Sequence, residues 1–172
     1  MVTIERWTDR QMAATLPDFI ELLRDGVDKG ASIGFLPPLS DDLAYDYWTG
    51  VQADVVAGKR ILMVALFEGK MIGSAQLELA MRQNSRHRAE VQKVLVHSDY
   101  RRRGIGQQLM AGLEDQAHLA GRTLLVLDTR QGDSGEPLYR KMGYIEAGVI
   151  PRYAEVENGE FCATVFYYKL LI

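Results

Sequence analysis

The chain predicts a mixed α/β fold, one mixed β-sheet with helices on both faces, and three observations carry that expectation. Apolar spacing switches between period two and period 3.6 in the order β-α-α-β-β-β-α-β-α-β-β. Two turn signals, Glu68-Gly69-Lys70 and Asn158-Gly159, join runs rich in β-branched and aromatic residues. Thr123-Leu124-Leu125-Val126-Leu127 is apolar throughout, as suits a central strand buried on both faces. A length of 172 residues suits one domain, residues 1–172, with a single sizeable core.

Taken in order, residues 2–7 alternate as a first strand. Phe19, Ile20, Leu22 and Leu23 form the stripe of a first helix that ends near Gly26, with Pro17 in its first turn, where the missing N–H costs nothing. Residues 30–39 mix apolar groups with too many breakers for regular structure. A substrate loop and a linker pinned to the core by Phe35 are equally consistent with that stretch. Ser40-Asp41-Asp42 caps a second helix with Leu43, Tyr47, Val51 and Val55 on its buried face. Tyr45, Tyr47 and Trp48 read as packing rather than as a nucleotide platform. Residues 60–67 and 71–80 form the first hairpin, and the polar, basic segment 81–88 is the solvated tip of a second. Residues 89–96 make the next strand. A helix runs from Gly104 to near Gly121, a strand covers 123–127, and another helix runs from near Ser134 past Leu138, Tyr139 and Met142 to Gly143. Asn158-Gly159 gives a two-residue hairpin before residues 161–171, a long apolar strand suited to pairing or packing across the two-fold axis of a homodimer.

Function concentrates between Val91 and Met110, which read as strand, basic turn and helix start. The first turn of a helix leaves N–H groups unpaired, and Gly104 and Gly106 remove the side chains that would keep an anion from them. This is a phosphate cradle. A P-loop is excluded because Gln107-Gln108 follow Gly106 where lysine and a hydroxyl are needed, and the dinucleotide fingerprint fails because Leu109 replaces its third glycine.

Composition narrows the classes. A net charge of −3 argues against nucleic acid as a general partner, although Arg101-Arg102-Arg103 suit a small polyanion. Hydrophobic content of 47% and charged content of 25% are globular averages, and no apolar run approaches a membrane span. The N-terminal residues do not read as a signal peptide. One cysteine cannot form an internal disulfide, and three scattered histidines offer no metal site. The expectation is a cytoplasmic protein without metal.

Arg101-x-x-Gly104-x-Gly106 resembles the (Q/R)-x-x-G-x-(G/A) signature of the GNAT superfamily of N-acetyltransferases, and Leu138-Tyr139-Arg140-Lys141-Met142-Gly143-Tyr144 resembles its L-Y-x-K-x-G-(F/Y) segment. Within that superfamily, residues 30–35, 88–93, the cradle and Leu127-Asp128-Thr129 look like the tabtoxin-resistance acetyltransferases, whose acceptor is a small amino-acid-like toxin. The resemblance implies a mostly antiparallel sheet and acetyl-coenzyme A as cosubstrate. It implies that Arg101, Arg102, Arg103, Gly104, Ile105, Gly106 and Gln107 hold the pyrophosphate, and that a bulged strand at Val94, Leu95 and Val96 pairs with the pantetheine and polarises the thioester. Gly132 stands where many members have asparagine, so a contact carried by that asparagine is missing here.

Acetyl transfer to an amine needs a base for the nucleophile and a proton for the leaving thiolate. By the resemblance, Tyr139 is the acid, against the alternative of a core tyrosine. Two carboxylates offer the base. Asp128 ends a central strand, where open α/β sheets place ligands, and Glu90 lies on the cradle strand. The bland alternatives are that Asp128 caps the turn after it and that Glu90 pairs with Arg88 or Lys93. An amine of lowered pKa could also lose its proton to water. The expected function is acetyl transfer to a small-molecule amine, an antibiotic or toxin among the candidates. A protein or peptide N-acetyltransferase and a non-catalytic acyl-coenzyme A sensor stand as alternatives.

Overall fold

The computed structural model describes residues 1–171. Along the chain come β1 (Val2–Trp7), α1 (Asp9–Ala14), α2 (Leu16–Asp28), α3 (Asp41–Val56), β2 (Arg60–Phe67), β3 (Lys70–Leu79), β4 (Arg88–Val96), α4 (Ile105–Leu119), β5 (Leu124–Arg130), α5 (Gly135–Lys141), β6 (Ile145–Glu155) and β7 (Phe161–Leu170). The strands form one sheet in the order β1-β2-β3-β4-β5-β7-β6. Only β4 and β5 run parallel; every other neighbouring pair is antiparallel.

Each face of the sheet carries its own core. One packs Leu109, Leu113 and Ala117 of α4 and Tyr139 of α5 against Ile72, Leu77, Val91, Leu125 and Leu127. The other packs Met12, Phe19, Leu23, Trp48 and Val51 from α1, α2 and α3 against Leu62, Val64 and Leu95. Helices therefore cover both faces of a mostly antiparallel sheet, as the sequence led one to expect.

The differences have local causes. Two helices, not one, precede residue 30. Thr8 and Gln11 form a capping box that starts α1, and α2 starts afresh after Thr15 with Pro17 in its first turn. Gly26 does not end α2, because a Cβ there would lie 3.2 Å from a Leu95 methyl; the glycine lets the helix approach the sheet. On α3, Ser40 caps as expected, but the buried face is Ala44, Trp48 and Val51, and Leu43 stays 55% exposed. The stripe is turned by one residue because Trp48, ring to ring with Phe19 at 4.5 Å, fills the core. Glu68 and Gly69 both have positive φ, as a tight hairpin with the strand twist demands. The Asn158-Gly159 turn is a three-residue loop instead. Gly159 N–H bonds the Val156 carbonyl and Val156 N–H bonds the Glu160 carbonyl, with only Gly159 at positive φ. Finally, β7 lies between β5 and β6, so both of its hydrogen-bonding edges are used and it cannot pair with a second copy; the sheet edges are β1 and β6.

Candidate active site

The cradle begins where β4 ends. Residues 98–100 make one tight helical turn, Arg102 (φ 61°) and Gly104 (φ 77°) are left-handed, and α4 starts at Ile105 with no side chain capping it. Among the described residues, the backbone N–H groups of Arg102, Arg103, Gly104, Ile105, Gly106 and Gln107 donate to no other backbone group. Successive free N–H groups in such a loop, at the positive end of a helix dipole, form an anion-binding concavity. A Cβ on Gly104 would point into open space, while one on Gly106 would lie 3.3 Å from Leu138. The first glycine supplies the left-handed turn, and the second lets α5 approach α4.

The arginine side chains contribute less than their number suggests. Arg101 donates its Nε–H to the Val96 carbonyl at 3.0 Å and lies 3.8 Å from Asp25, while Arg103 donates to the Asp99 carbonyl and covers the Tyr100 ring. Asp25, on α2, gave no signal in the sequence. Its carboxylate accepts from the Ser98 N–H at 2.8 Å and the Ser98 hydroxyl at 2.6 Å, tying α2 to the turn that enters the cradle.

β4 carries a bulge, centred on Lys93 and Val94 rather than on residues 94–96. Ser74 pairs with Leu95 and Gln76 with Gln92, so Lys93 and Val94 together face one β3 residue, and Lys93 takes φ 49°. On its other side β4 pairs with β5 only over residues 88–90 and 124–126. Beyond Glu90 the strands part, and the edges of Val94, Leu95 and Val96 that face β5 have no strand partner.

Tyr139 sits on α5 with its ring buried between Tyr144 and Tyr167, each 6.1 Å away. Its hydroxyl enters no hydrogen bond among the described residues. Burial, with Asp133 and Asp128 adding to it, pushes its pKa up to about 12, so it stays protonated through the neutral range. Glu136, one turn earlier, was not singled out in the sequence. It is buried and accepts from the Gly132 N–H at 2.6 Å, the Tyr167 hydroxyl at 2.6 Å and Arg140 at 2.7 Å. The Tyr167 and Gly132 bonds hold its pKa below the usual carboxylate value in spite of burial. Gly132, at the asparagine position, thus has its N–H occupied by Glu136.

Asp128 and Glu90 share the face opposite Tyr139, since their neighbours Leu127 and Leu125, and Val91 and Ala89, lie in the α4 core. Asp128 is exposed; its Oδ2 lies 3.1 Å from the Thr164 hydroxyl, which is also 2.9 Å from the Thr129 carbonyl. It caps no turn, and Ser134 N–H bonds Asp133 instead. Glu90 forms no ion pair with Arg88 or Lys93 and accepts from Gln92 at 3.2 Å. Through Gln92 it joins a ladder with Glu78, Arg60, Gln76 and Tyr47. Burial raises the Tyr47 pKa to about 12, against the pull of the Gln76 bond and Arg60.

A cavity of about 810 Å³ opens on this face, walled by Gly34, Phe35 and Leu36 on one side, Arg130 below, and Glu155 and Asn158 of the β6–β7 hairpin on the other. Residues of the segment 30–37 line the cavity, and Phe35 anchors it, edge-on to Tyr47 at 5.4 Å. Arg130 fixes its start by donating to the Gly30 carbonyl at 3.1 Å. No helix among the described residues is long and apolar enough to cross a membrane.

Comparisons with known proteins converge on this arrangement. An uncharacterized N-acetyltransferase from the hisH-hisA intergenic region of Azospirillum brasilense is 31% identical over 138 residues, 79% of this chain and 80% of that protein. The ribosomal-protein-alanine N-acetyltransferase of Brucella melitensis superposes with a TM-score of 0.83 at 24% identity, over 98% of this chain and 99% of that one. The acetyltransferase yncA of Salmonella typhimurium, solved with its cofactor acetyl-CoA, gives 0.81 at 20% identity over 99% and 94%. These two solved structures share the fold. A sequence model of the acetyltransferase (GNAT) domain matches residues 58–146, from β2 through the cradle and α5. By sequence relative and family match alike, the chain belongs to the GNAT family and is an acetyltransferase.

Proposed function

We propose that this protein transfers the acetyl group of acetyl-coenzyme A to the amine of a small molecule, acting as a single cytoplasmic domain of residues 1–172. The resemblance to the tabtoxin-resistance acetyltransferases puts antibiotics and toxins among the candidate acceptors. The observation that carries this reading is that β4 and β5 lose their pairing beyond Glu90 while a cavity lies on the sheet face that bears Asp128. A cavity of about 810 Å³ falls in the range of small-molecule sites.

In this reading the free N–H groups of residues 102–107 hold the pyrophosphate, and the β5-facing edge of Val94, Leu95 and Val96, which has no strand partner and whose Val96 carbonyl is held by Arg101, pairs with the pantetheine arm and polarises the thioester carbonyl. Acetyl-coenzyme A supplies the activated acyl group. Asp128 takes the proton of the acceptor amine, because it is exposed on the face of the sheet where the cavity lies, whereas Glu90 is tied to Gln92. Tyr139 donates a proton to the departing sulfur. Gly132 offers the donor no side chain, so donor affinity rests on the cradle and the β4 edge.

Thiol release from acetyl-coenzyme A, followed over a panel of small amines and peptides with free N-termini, tests this. Continuous release dependent on a small amine is expected. Release with peptides alone would make the protein a peptide acetyltransferase, and tight binding without release for any acceptor would make it a sensor.

A further inference from the structure

The β4 bulge also redirects one side chain. Alternation puts Ala89 and Val91 in the α4 core and Glu90 and Gln92 on the opposite face. The extra residue, Lys93, joins the second group: its Nζ lies 5.7 Å from the centroid of the Tyr47 ring on α3 and 3.8 Å from where a Cβ on Gly34 would stand. Its ammonium therefore stands beside Gly34, one of the residues that line the cavity. Here it differs from the other sheltered cations. Arg60 is paired with Asp54 and Glu78, Lys169 with Glu114 and the Met142 carbonyl, and Arg130 with the Gly30 carbonyl and Asp133. Lys93 enters no ion pair or hydrogen bond among the described residues.

A half-buried ammonium without an acceptor costs stability, and a tyrosine face is a weak substitute for an anion. Burial and Arg60 lower its pKa, while Asp128 and Glu90 pull the other way without touching it. A left-handed backbone at a lysine adds strain. Such costs concentrated beside a cavity are a signature of ligand binding rather than of folding.

We infer that Lys93 is a specificity-determining residue whose ammonium binds an anionic group, carboxylate or phosphate, carried by the acceptor close to its reacting amine. Asp128 then faces the amine, so one face of the sheet presents both signs of charge to a substrate bearing both. This rests on the small-amine reading above and narrows it to amines with an acidic substituent.

The test compares acceptors that differ only in the anion, amino acids against their amides and phosphoethanolamine against ethanolamine, in the parent, Lys93→Met and Lys93→Arg. The parent should favour the anionic member in kcat/KM by about tenfold or more, the scale of one charge-assisted hydrogen bond. Lys93→Met should abolish that preference, chiefly through KM, and Lys93→Arg should retain it. The amino-acid and phosphate arms identify which anion is bound. Removing an unpaired cation should not lower the melting temperature. A preference that survives in Lys93→Met, or a Lys93→Met protein that melts well below the parent, would overturn the assignment. Equal turnover of charged and neutral small amines by the parent would overturn it and leave the small-amine reading standing. Turnover of peptides alone would remove both.

Discussion

One oxygen atom separates the two roles open to Tyr139. Its ring is packed, yet its hydroxyl bonds nothing, so Tyr139→Phe should keep the melting temperature of the parent. If the hydroxyl protonates the leaving thiolate, kcat and kcat/KM should fall together by roughly 100-fold with acetyl-coenzyme A affinity preserved. The raised pKa of about 12 adds a pH signature. The acid form persists through the alkaline range, so no falling limb from Tyr139 should appear near pH ~10, where an ordinary tyrosine would titrate. Asp128→Asn should lower kcat/KM by about 100-fold, while Glu90→Gln should do far less. Unchanged kinetics in Asp128→Asn would hand the proton to water. Tyr139 was singled out in the sequence by the resemblance of residues 138–144 to the family segment, and Asp128 by its place after an apolar run. Lys93 was not, since its importance depends on a bulge and on Tyr47 and Gly34, both far away in sequence.

At the scale of elements, α5 has only seven residues and needs an external anchor. Glu136 supplies it by binding Gly132 before the helix, Tyr167 on β7 and Arg140 one turn on. Glu136→Gln should lose about 1–3 kcal/mol at about pH 7 and slow turnover by displacing Tyr139. The folded-state pKa of Glu136 is depressed, so its contribution is complete above the unfolded value of about 4.3 and is lost as pH falls through the folded value. Denaturant melts should therefore show parent and variant converging in acid; a gap independent of pH would contradict the assignment. Asp25 does the corresponding work for the cradle. Asp25→Asn should weaken acetyl-coenzyme A binding by about tenfold in calorimetry with kcat little changed, because it loosens Ser98 and Arg101 rather than the reacting groups. Gly106→Val is a poorer probe of anion binding, since its side chain would press on Leu138 and disturb α5. Local signals marked the caps, hairpins and Gly104. The anchors escaped notice because their partners lie 31 and 73 residues away, and no local pattern encodes a contact at that distance.

For the whole molecule, the sheet is a partition. The core under α4 and α5 supports the cradle and Tyr139, and the core under α1, α2 and α3 lies on the face that carries the cavity, Asp128 and Lys93. We propose that the two sides communicate where β4 and β5 part, beyond Glu90. Apart from α1, the order of elements was readable from apolar periodicity, whereas strand order was not: that β7 inserts between β5 and β6 follows from packing across the sheet, and it removes β7 as a pairing edge between copies. The central claim is that donor and acceptor meet through this opening. A crystal structure of the complex with acetyl-coenzyme A tests it most directly. The pyrophosphate should accept hydrogen bonds from N–H groups within residues 102–107, and the thioester should lie between β4 and β5 with its sulfur facing the Tyr139 hydroxyl and its acetyl group toward Asp128. A pyrophosphate bound elsewhere, or an acetyl group directed away from the opening, would contradict the account.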